Sequence, residues 1–407
     1  MQPDEPRATP SAFHATRPGL RRRIFALALV GVFTFGLLEF SSYAYLRLFR
    51  GYDGEHLMNY EFDPYKSIRL TPNFRDTRGI AHNAQGFRRS EDTPREKPPG
   101  TYRIFLMGGS TGYGLQSLSR FGVAKYPVIR NDETIDHYLE QALDGKVDGL
   151  RVEVINAAIT SFYSHHHLIY LNQTILKYHP DLVIFLDGFN DYYNTDPGFD
   201  QWRDYAYQER AHSFLGDPTF SAWAYYTGWW LFRKSHFFHL AGRALNNASQ
   251  MMTVLHRGPR PHMDVDTALA NLRVNAENNF VKMVERNGLI LQHEGVHAIF
   301  ALQPEISFRQ GKQFSPLEQE IYDEMKTYWA ENYIEFKNRA RPIVLDYLAK
   351  ATAPSGATVV DLTDIYGRVE GDVYTDYCHL TPTGNRVLAE HLVPAVLSII
   401  DGDRGHS

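Results

Sequence analysis

Cysteine is almost absent from this sequence: Cys378 is the only one in 407 residues. No disulfide can close within the chain, and no cysteine-based zinc site can form. Excess positive charge is missing as well. The formal net charge is −5, which leaves no electrostatic footprint for a nucleic acid. There is no internal repeat and no low-complexity tract. The one Gly-rich loop that follows an apolar run, Gly108–Gly114 (GGSTGYG), lacks the lysine of a phosphate-binding P-loop and the spacing of a dinucleotide fingerprint. Long uncharged apolar runs are also scarce, and the one present is informative.

That run is IFALALVGVFTFGLL, residues 24–38, continuing through Glu39 to Leu46. As a helix, Ile24–Leu46 rises roughly 34 Å, enough for a bilayer core. Arg21, Arg22 and Arg23 abut its start, with Arg17 and Arg7 upstream and Arg47 and Arg50 beyond its far end. Positive charge is concentrated on the N-terminal side. The expected arrangement is therefore a cytoplasmic tail (1–23), a single-pass signal anchor in the inner membrane (24–46), and the rest of the chain on the periplasmic or extracellular side. Glu39, near the outer end, is expected to reach headgroups. A cleaved signal peptide and a buried helix of a soluble protein are the alternatives. The polar lead of about 20 residues and the length of the run argue against the first.

Residues 47–100 hold turn formers and few apolar runs, and read as a juxtamembrane segment with short strands. From residue 101 the pattern changes. Tyr102–Met107, Val152–Asn156, Leu182–Leu186, His297–Leu302 and Thr358–Leu362 are short apolar runs rich in β-branched and aromatic residues, bounded by Gly, Pro or Asp. Helical stretches separate them: Thr134–Leu143, His167–Tyr178, Asp266–Glu294, Leu317–Lys350 and Pro382–Ile400, the last with Thr381 as N-cap. Strand alternating with helix predicts an α/β fold, with a mostly parallel five-stranded sheet between two helical layers, over residues 101–401. In such a sheet the site lies at the carboxyl ends of the strands.

Those ends carry the reactive side chains. Gly108-Gly109-Ser110 follows the first strand, so that a sharp turn presents Ser110 at the start of a helix. Asp187-Gly188-Phe189-Asn190-Asp191 follows the third. Asp376-Tyr377-Cys378-His379 precedes the last helix. A carboxylate three residues before a histidine can accept its Nδ1–H and leave Nε2 free as a base.

In this order the blocks resemble the SGNH (GDSL-type) serine hydrolases, which have a flavodoxin-like sheet. Ser110 matches the nucleophile, within Gly-Gly-Ser-Thr where Gly-Asp-Ser is usual. Gly188–Asp191 matches the Gly-x-Asn-Asp block, and Asp376 with His379 matches Asp-x-x-His. The second block falls on Asn156–Ser161 (NAAITS), with Ser161 where the family has glycine. The resemblance covers residues 102–191 and about 355–400. It implies a catalytic triad of Ser110, His379 and Asp376. It also implies an oxyanion hole formed by the backbone N–H groups of Ser110 and Ser161 and the side chain of Asn190, with no cofactor and no metal. Ser161 is expected at negative φ, its N–H aimed at Ser110 Oγ.

The implied reaction is hydrolysis of an ester, an O-acyl group on a glycan or lipid. Alternatives are acyl transfer to a surface glycan, and a non-catalytic glycan-binding protein of the same fold. Membrane contact through residues 24–46 is expected, and protein partners are not specified. Ser110 could instead be only a helix cap. Asp191 reads as a turn or cap residue and Cys378 as a buried bystander. His165-His166-His167 reads as a solvated helix start, because adjacent helical side chains point about 100° apart and cannot converge on one ion. The aromatic-rich insertion at about 195–263 is expected to form mainly the core of an inserted subdomain, with a few rings facing substrate.

Overall fold

The structure is a computed structural model that describes residues 19–50, 52, 56–115, 127–191, 220–255, 262–308, 311–328, 330 and 332–405. Five strands form one parallel sheet: β3 (Thr101–Gly108), β4 (Arg151–Asn156), β5 (Leu182–Asp187), β6 (His297–Leu302) and β7 (Thr358–Asp361), in the order β4-β3-β5-β6-β7. All five expected strands are present. Every residue of β3 and β5 is buried, as central strands covered on both faces require. At the sheet edge, β7 is only partly covered.

Two helical layers cover the sheet. In one, α3 (Ile135–Leu143) packs against α11 (Pro382–Gly405). In the other, α4 (Ser164–Gln173) packs on α8 (Val281–His293), and α10 (Tyr333–Thr352) packs on α7 (Val265–Asn275) and α8. The expected three-layer α/β/α arrangement is thus observed. A π-helical turn, Ala276–Phe280, joins α7 to α8 and keeps the stretch helical throughout. The stretch expected as one helix over Leu317–Lys350 is two, α9 (Pro316–Tyr328) and α10. Near the break the Asn332 side chain turns away to pair with both backbone groups of Met263, donating to its carbonyl at 2.6 Å and accepting from its N–H at 3.1 Å.

Ahead of the sheet lie α1 (Leu20–Phe49) and an antiparallel hairpin of β1 (Tyr60–Asp63) and β2 (Ser67–Leu70). Ile68, Leu70 and Phe87 join the same apolar core as the sheet. Within α1, every residue from Leu20 to Leu38 is exposed, whereas Ser42 and Leu46 are buried. This helix is long and apolar enough to cross a membrane. Two further helices, α5 (Phe220–Lys234) and α6 (His236–Leu255), pack on each other, and α6 packs on α1.

The strand order reverses between β4 and β5 as the chain leaves β3, which makes the β3/β5 junction the topological switch point. Close approach there depends on glycine. A Cβ on Gly108 would lie 2.6 Å from the Leu186 carbonyl oxygen, too near for any side chain.

Candidate active site

Ser110, His379 and Asp376 meet at the carboxyl end of the sheet. Ser110 opens a single helical turn, α2 (Ser110–Tyr113), directly after β3. His379 Nε2 lies 2.7 Å from Ser110 Oγ, although 269 residues separate the two. On its other side His379 Nδ1 lies 2.6 Å from Asp376 Oδ2. The second carboxylate oxygen of Asp376 accepts the backbone N–H groups of Cys378 at 2.9 Å and His379 at 2.8 Å. All these contacts hold one ring orientation, with Nδ1 towards the carboxylate and Nε2 towards the hydroxyl.

Burial of Asp376 acts to raise its pKa. The charge of His379 and the hydrogen bonds from His379 and Cys378 outweigh it, and the net direction is downward. A carboxylate held ionised is what a neighbouring imidazolium needs.

Cys378 points into the interior and is buried. Burial first, and then the charges of Asp376 and Glu305, push its thiol well above the ordinary value, so it stays protonated and unreactive. Its sulfur, a carboxylate oxygen of Asp376 and a His379 nitrogen lie within 4.8 Å of one another. Both ring nitrogens of His379 are already engaged, by Asp376 and Ser110, which leaves neither free to face an ion.

Asn190 follows β5. Its Nδ2 donates one hydrogen to the Phe162 carbonyl at 3.0 Å and retains a second in the same amide plane. This position requires Gly109, where a Cβ would stand 2.7 Å from Asn190 Nδ2. Ser161 lies in the turn 159–162, which Phe162 N–H closes onto the Ile159 carbonyl at 3.0 Å. Its φ is +66°, contrary to the expected negative value. The turn has its positive φ at the third residue, the conformation of a type II turn, which favours glycine there. The backbone shape is therefore the one a glycine would take, held here by a serine at some cost.

The turn that carries Ser110 is braced from behind, mostly by residues that sequence patterns did not single out. Gln303 Nε2 donates to Thr111 Oγ at 3.2 Å, and Thr111 Oγ donates to the Cys378 carbonyl at 3.2 Å. Gln303 directly follows β6, so the rule that strand ends carry the site was available to find it. Asn156 Nδ2 donates to the Gly112 carbonyl at 3.0 Å. The fully buried Arg88 guanidinium donates to the carbonyls of Tyr113, Gly114 and Ile129, and stacks 4.3 Å from the Tyr113 ring centre. His82 Nδ1 donates to the Thr71 carbonyl at 3.1 Å, which leaves Nε2 to accept from the Tyr113 hydroxyl at 3.0 Å. The segment before residue 100 thus supports the turn that carries Ser110.

The three adjacent histidines are not a solvated helix start. His165, His166 and His167 are all buried at the start of α4. This end of the helix is sealed by α8 and by aromatic rings: Phe162 stacks on His166 at 4.6 Å. His167 Nε2 meets Asp187 Oδ1 at 2.9 Å. Although burial opposes it, the Asp187 carboxylate raises the His167 pKa. Asp191 accepts the Ser164 N–H at 3.1 Å and its hydroxyl at 2.6 Å, capping α4. Burial and the Asp187 charge push Asp191 up to about 7.

The rings of Phe189 and Tyr377 lie 4.7 Å apart, and the Tyr377 ring lies 6.2 Å from that of His379. Phe199, Trp202, Tyr205, Tyr207 and Phe214 of the aromatic insertion lie outside the described residues. Within α5 and α6, Trp223, Trp230 and Phe238 are exposed, whereas Trp229, Phe232 and Phe237 are partly buried.

No family model matches the sequence, and no curated protein matches it. Among solved structures the chain is similar to an extracellular lipase from Streptomyces rimosus, with 13% identity and a TM-score of 0.37 over 73% of this chain and 99% of that one. It is similar also to an acetylxylan esterase from Geobacillus stearothermophilus, with 13% identity and a TM-score of 0.32 over 72% and 93% of the two chains. A third is a lipase/acylhydrolase from Enterococcus faecalis, with 14% identity and a TM-score of 0.33 over 72% and 95%.

Proposed function

We propose that this chain is a membrane-tethered serine hydrolase that cleaves ester bonds through an acyl-Ser110 intermediate. The observation that carries the reading is the relay of 2.7 Å and 2.6 Å contacts from Ser110 Oγ through His379 to Asp376. As an ester carbonyl is attacked by Ser110 Oγ, His379 Nε2 takes the hydroxyl proton. Asp376 holds the resulting imidazolium through Nδ1–H. The tetrahedral oxyanion is met by the N–H groups of Ser110 and Ser161 and by the second amide hydrogen of Asn190. Collapse expels the alcohol, which receives its proton from His379. Water, deprotonated in turn by His379, then releases the acid and restores Ser110.

The bare apolar stretch of α1 and the arginines before it support an anchor in the inner membrane, with the hydrolase domain on the periplasmic or extracellular side. The substrate class is an O-acylated glycan or lipid, with the acyl group seated against Phe189 and Tyr377.

A fluorophosphonate probe tests the reading on the full-length protein in detergent. Labelling of the wild type and none of Ser110→Ala is expected, together with hydrolysis of p-nitrophenyl acetate, longer acyl esters or acetylated glycans by the wild type alone. Labelling that persists in Ser110→Ala would place the nucleophile elsewhere.

A further inference from the structure

Glu39 stands inside the apolar helix. Counted from Arg23 at the inner boundary, it lies about 24 Å up the helix, short of the far edge of a hydrocarbon core about 30 Å thick. A carboxylate at that depth needs partners. Glu39 receives the start of α6: the Ser235 hydroxyl at 2.6 Å, the His236 N–H at 2.7 Å, the Phe237 N–H at 3.0 Å, and a contact from His236 Nδ1 at 2.6 Å. One turn lower, Phe35 meets the rings of Phe237 at 6.4 Å and Phe238 at 6.0 Å. The Tyr43 and Tyr52 rings flank His236 at 5.2 Å and 5.4 Å, as an interfacial aromatic belt would. The junction of α5 and α6 is therefore fixed at the depth of Phe35–Glu39.

Among the described side chains of these two helices several large apolar ones are exposed, beside the exposed Lys234 and Arg243. Trp223 is 63% exposed, Trp230 49% and Phe238 37%. Through the contact of Phe238 with Phe35 this apolar surface adjoins the exposed apolar stretch of α1, and the two form one continuity. Arg233 and Lys234 sit at the junction. Arg233 reaches back to Glu61 on β1 at 2.8 Å, and the long stems of both residues allow their charges to stay at headgroup level.

From this continuity we infer that the α5–α6 hairpin is a second membrane-contacting element. Its junction inserts into the outer leaflet and its apolar face is covered by acyl chains. The inference rests on α1 being a membrane anchor. Two attachments, one spanning and one interfacial, hold the domain close to the bilayer and in a fixed orientation to it. An acylated substrate carried in or near the same leaflet is then presented to the site without leaving the surface.

The test uses the full chain in vesicles of phosphatidylethanolamine and phosphatidylglycerol, with a fluorophore placed by Trp230→Cys, Phe238→Cys, Val30→Cys or Lys350→Cys. The wild type, whose one cysteine is buried, is the labelling blank. Lipids carrying a spin label in the upper acyl chain should quench the fluorophore at positions 230 and 238 at least about threefold more than at position 350. Quenching at position 30 without quenching at 230 and 238 overturns the hairpin and spares the anchor. Absence of quenching at all four positions overturns both. Shielding of position 238 from lipid and from aqueous iodide alike would mean that protein, such as a second copy of the chain, covers the face, and would also overturn the inference.

Discussion

The Thr111 hydroxyl donates to the Cys378 carbonyl at 3.2 Å and so ties the residue after Ser110 to the residue before His379. The Ser110 turn and the His379 loop come from opposite ends of the domain. This side-chain hydrogen bond, itself supported by Gln303, joins them beside the Ser110–His379 contact.

Asp376→Asn should leave the fold intact and lower kcat by about three to four orders of magnitude, with little change in KM. An amide can still hold the ring but cannot stabilise the imidazolium. Steady-state kinetics with a p-nitrophenyl ester check this. A loss of less than tenfold would show that Asp376 is only a loop-capping residue.

Asn190→Ala should act mainly on kcat, costing about 3 kcal/mol of barrier, because the oxyanion exists only in passing. The lost bond to the Phe162 carbonyl adds a smaller stability effect, read by thermal unfolding. A change confined to KM would make Asn190 a ground-state binding residue.

Ser161→Gly should retain activity and raise unfolding stability by about 0.5–1 kcal/mol, since φ is +66° and glycine relieves the left-handed strain. Ser161→Ala keeps that strain and should not gain stability. Loss of activity in both variants would assign the hydroxyl a role that the backbone N–H does not fill.

Arg88→Met should destabilise the protein by about 3 kcal/mol or more, because three buried carbonyls lose their donor. Denaturant unfolding measures the loss. Fluorophosphonate labelling should slow in step, since the turn that carries Ser110 loses its brace. Unaltered labelling kinetics in the folded variant would separate Arg88 from the site.

Stability should fall as pH falls below 6.5. Burial holds His82 at about 3 and His165 at about 3, with the charges of Arg88 and His167 adding to the depression. Between pH 6.5 and 3 the unfolded chain binds these protons and the folded chain does not. The contribution is therefore complete above 6.5 and declines by about 1.4 kcal/mol per histidine per pH unit well below it. Urea unfolding at pH 7 and pH 5 should differ by about 4 kcal/mol. His82→Gln should remove a substantial part of that difference, and an unchanged slope would contradict the assignment.

Local chemistry made several features legible in the sequence. The strands were visible because a central parallel strand is apolar on both faces, as in Leu182–Asp187. Ser110, Asn190 and the Asp376/His379 pair stood out because each lies at a strand end or helix start. The anchor candidate was legible from length and flanking charge. Other features were not, because they depend on what covers a segment. The histidine triplet carries no local mark of its burial under α8 and Phe162. The division of Leu317–Lys350 is accompanied by pairing of Asn332 with the distant backbone of Met263.

By itself, then, the sequence determined the order of the elements and the residue types available at each strand end, since periodicity and turn chemistry act over a few neighbours. Only the tertiary structure decided that Ser110 and His379 meet at 2.7 Å, that Arg88 braces the turn carrying Ser110, and that Ser161 takes the conformation of a glycine. Those outcomes come from long-range packing and from the need to pair every buried polar group. Neither is encoded within a window of neighbouring residues.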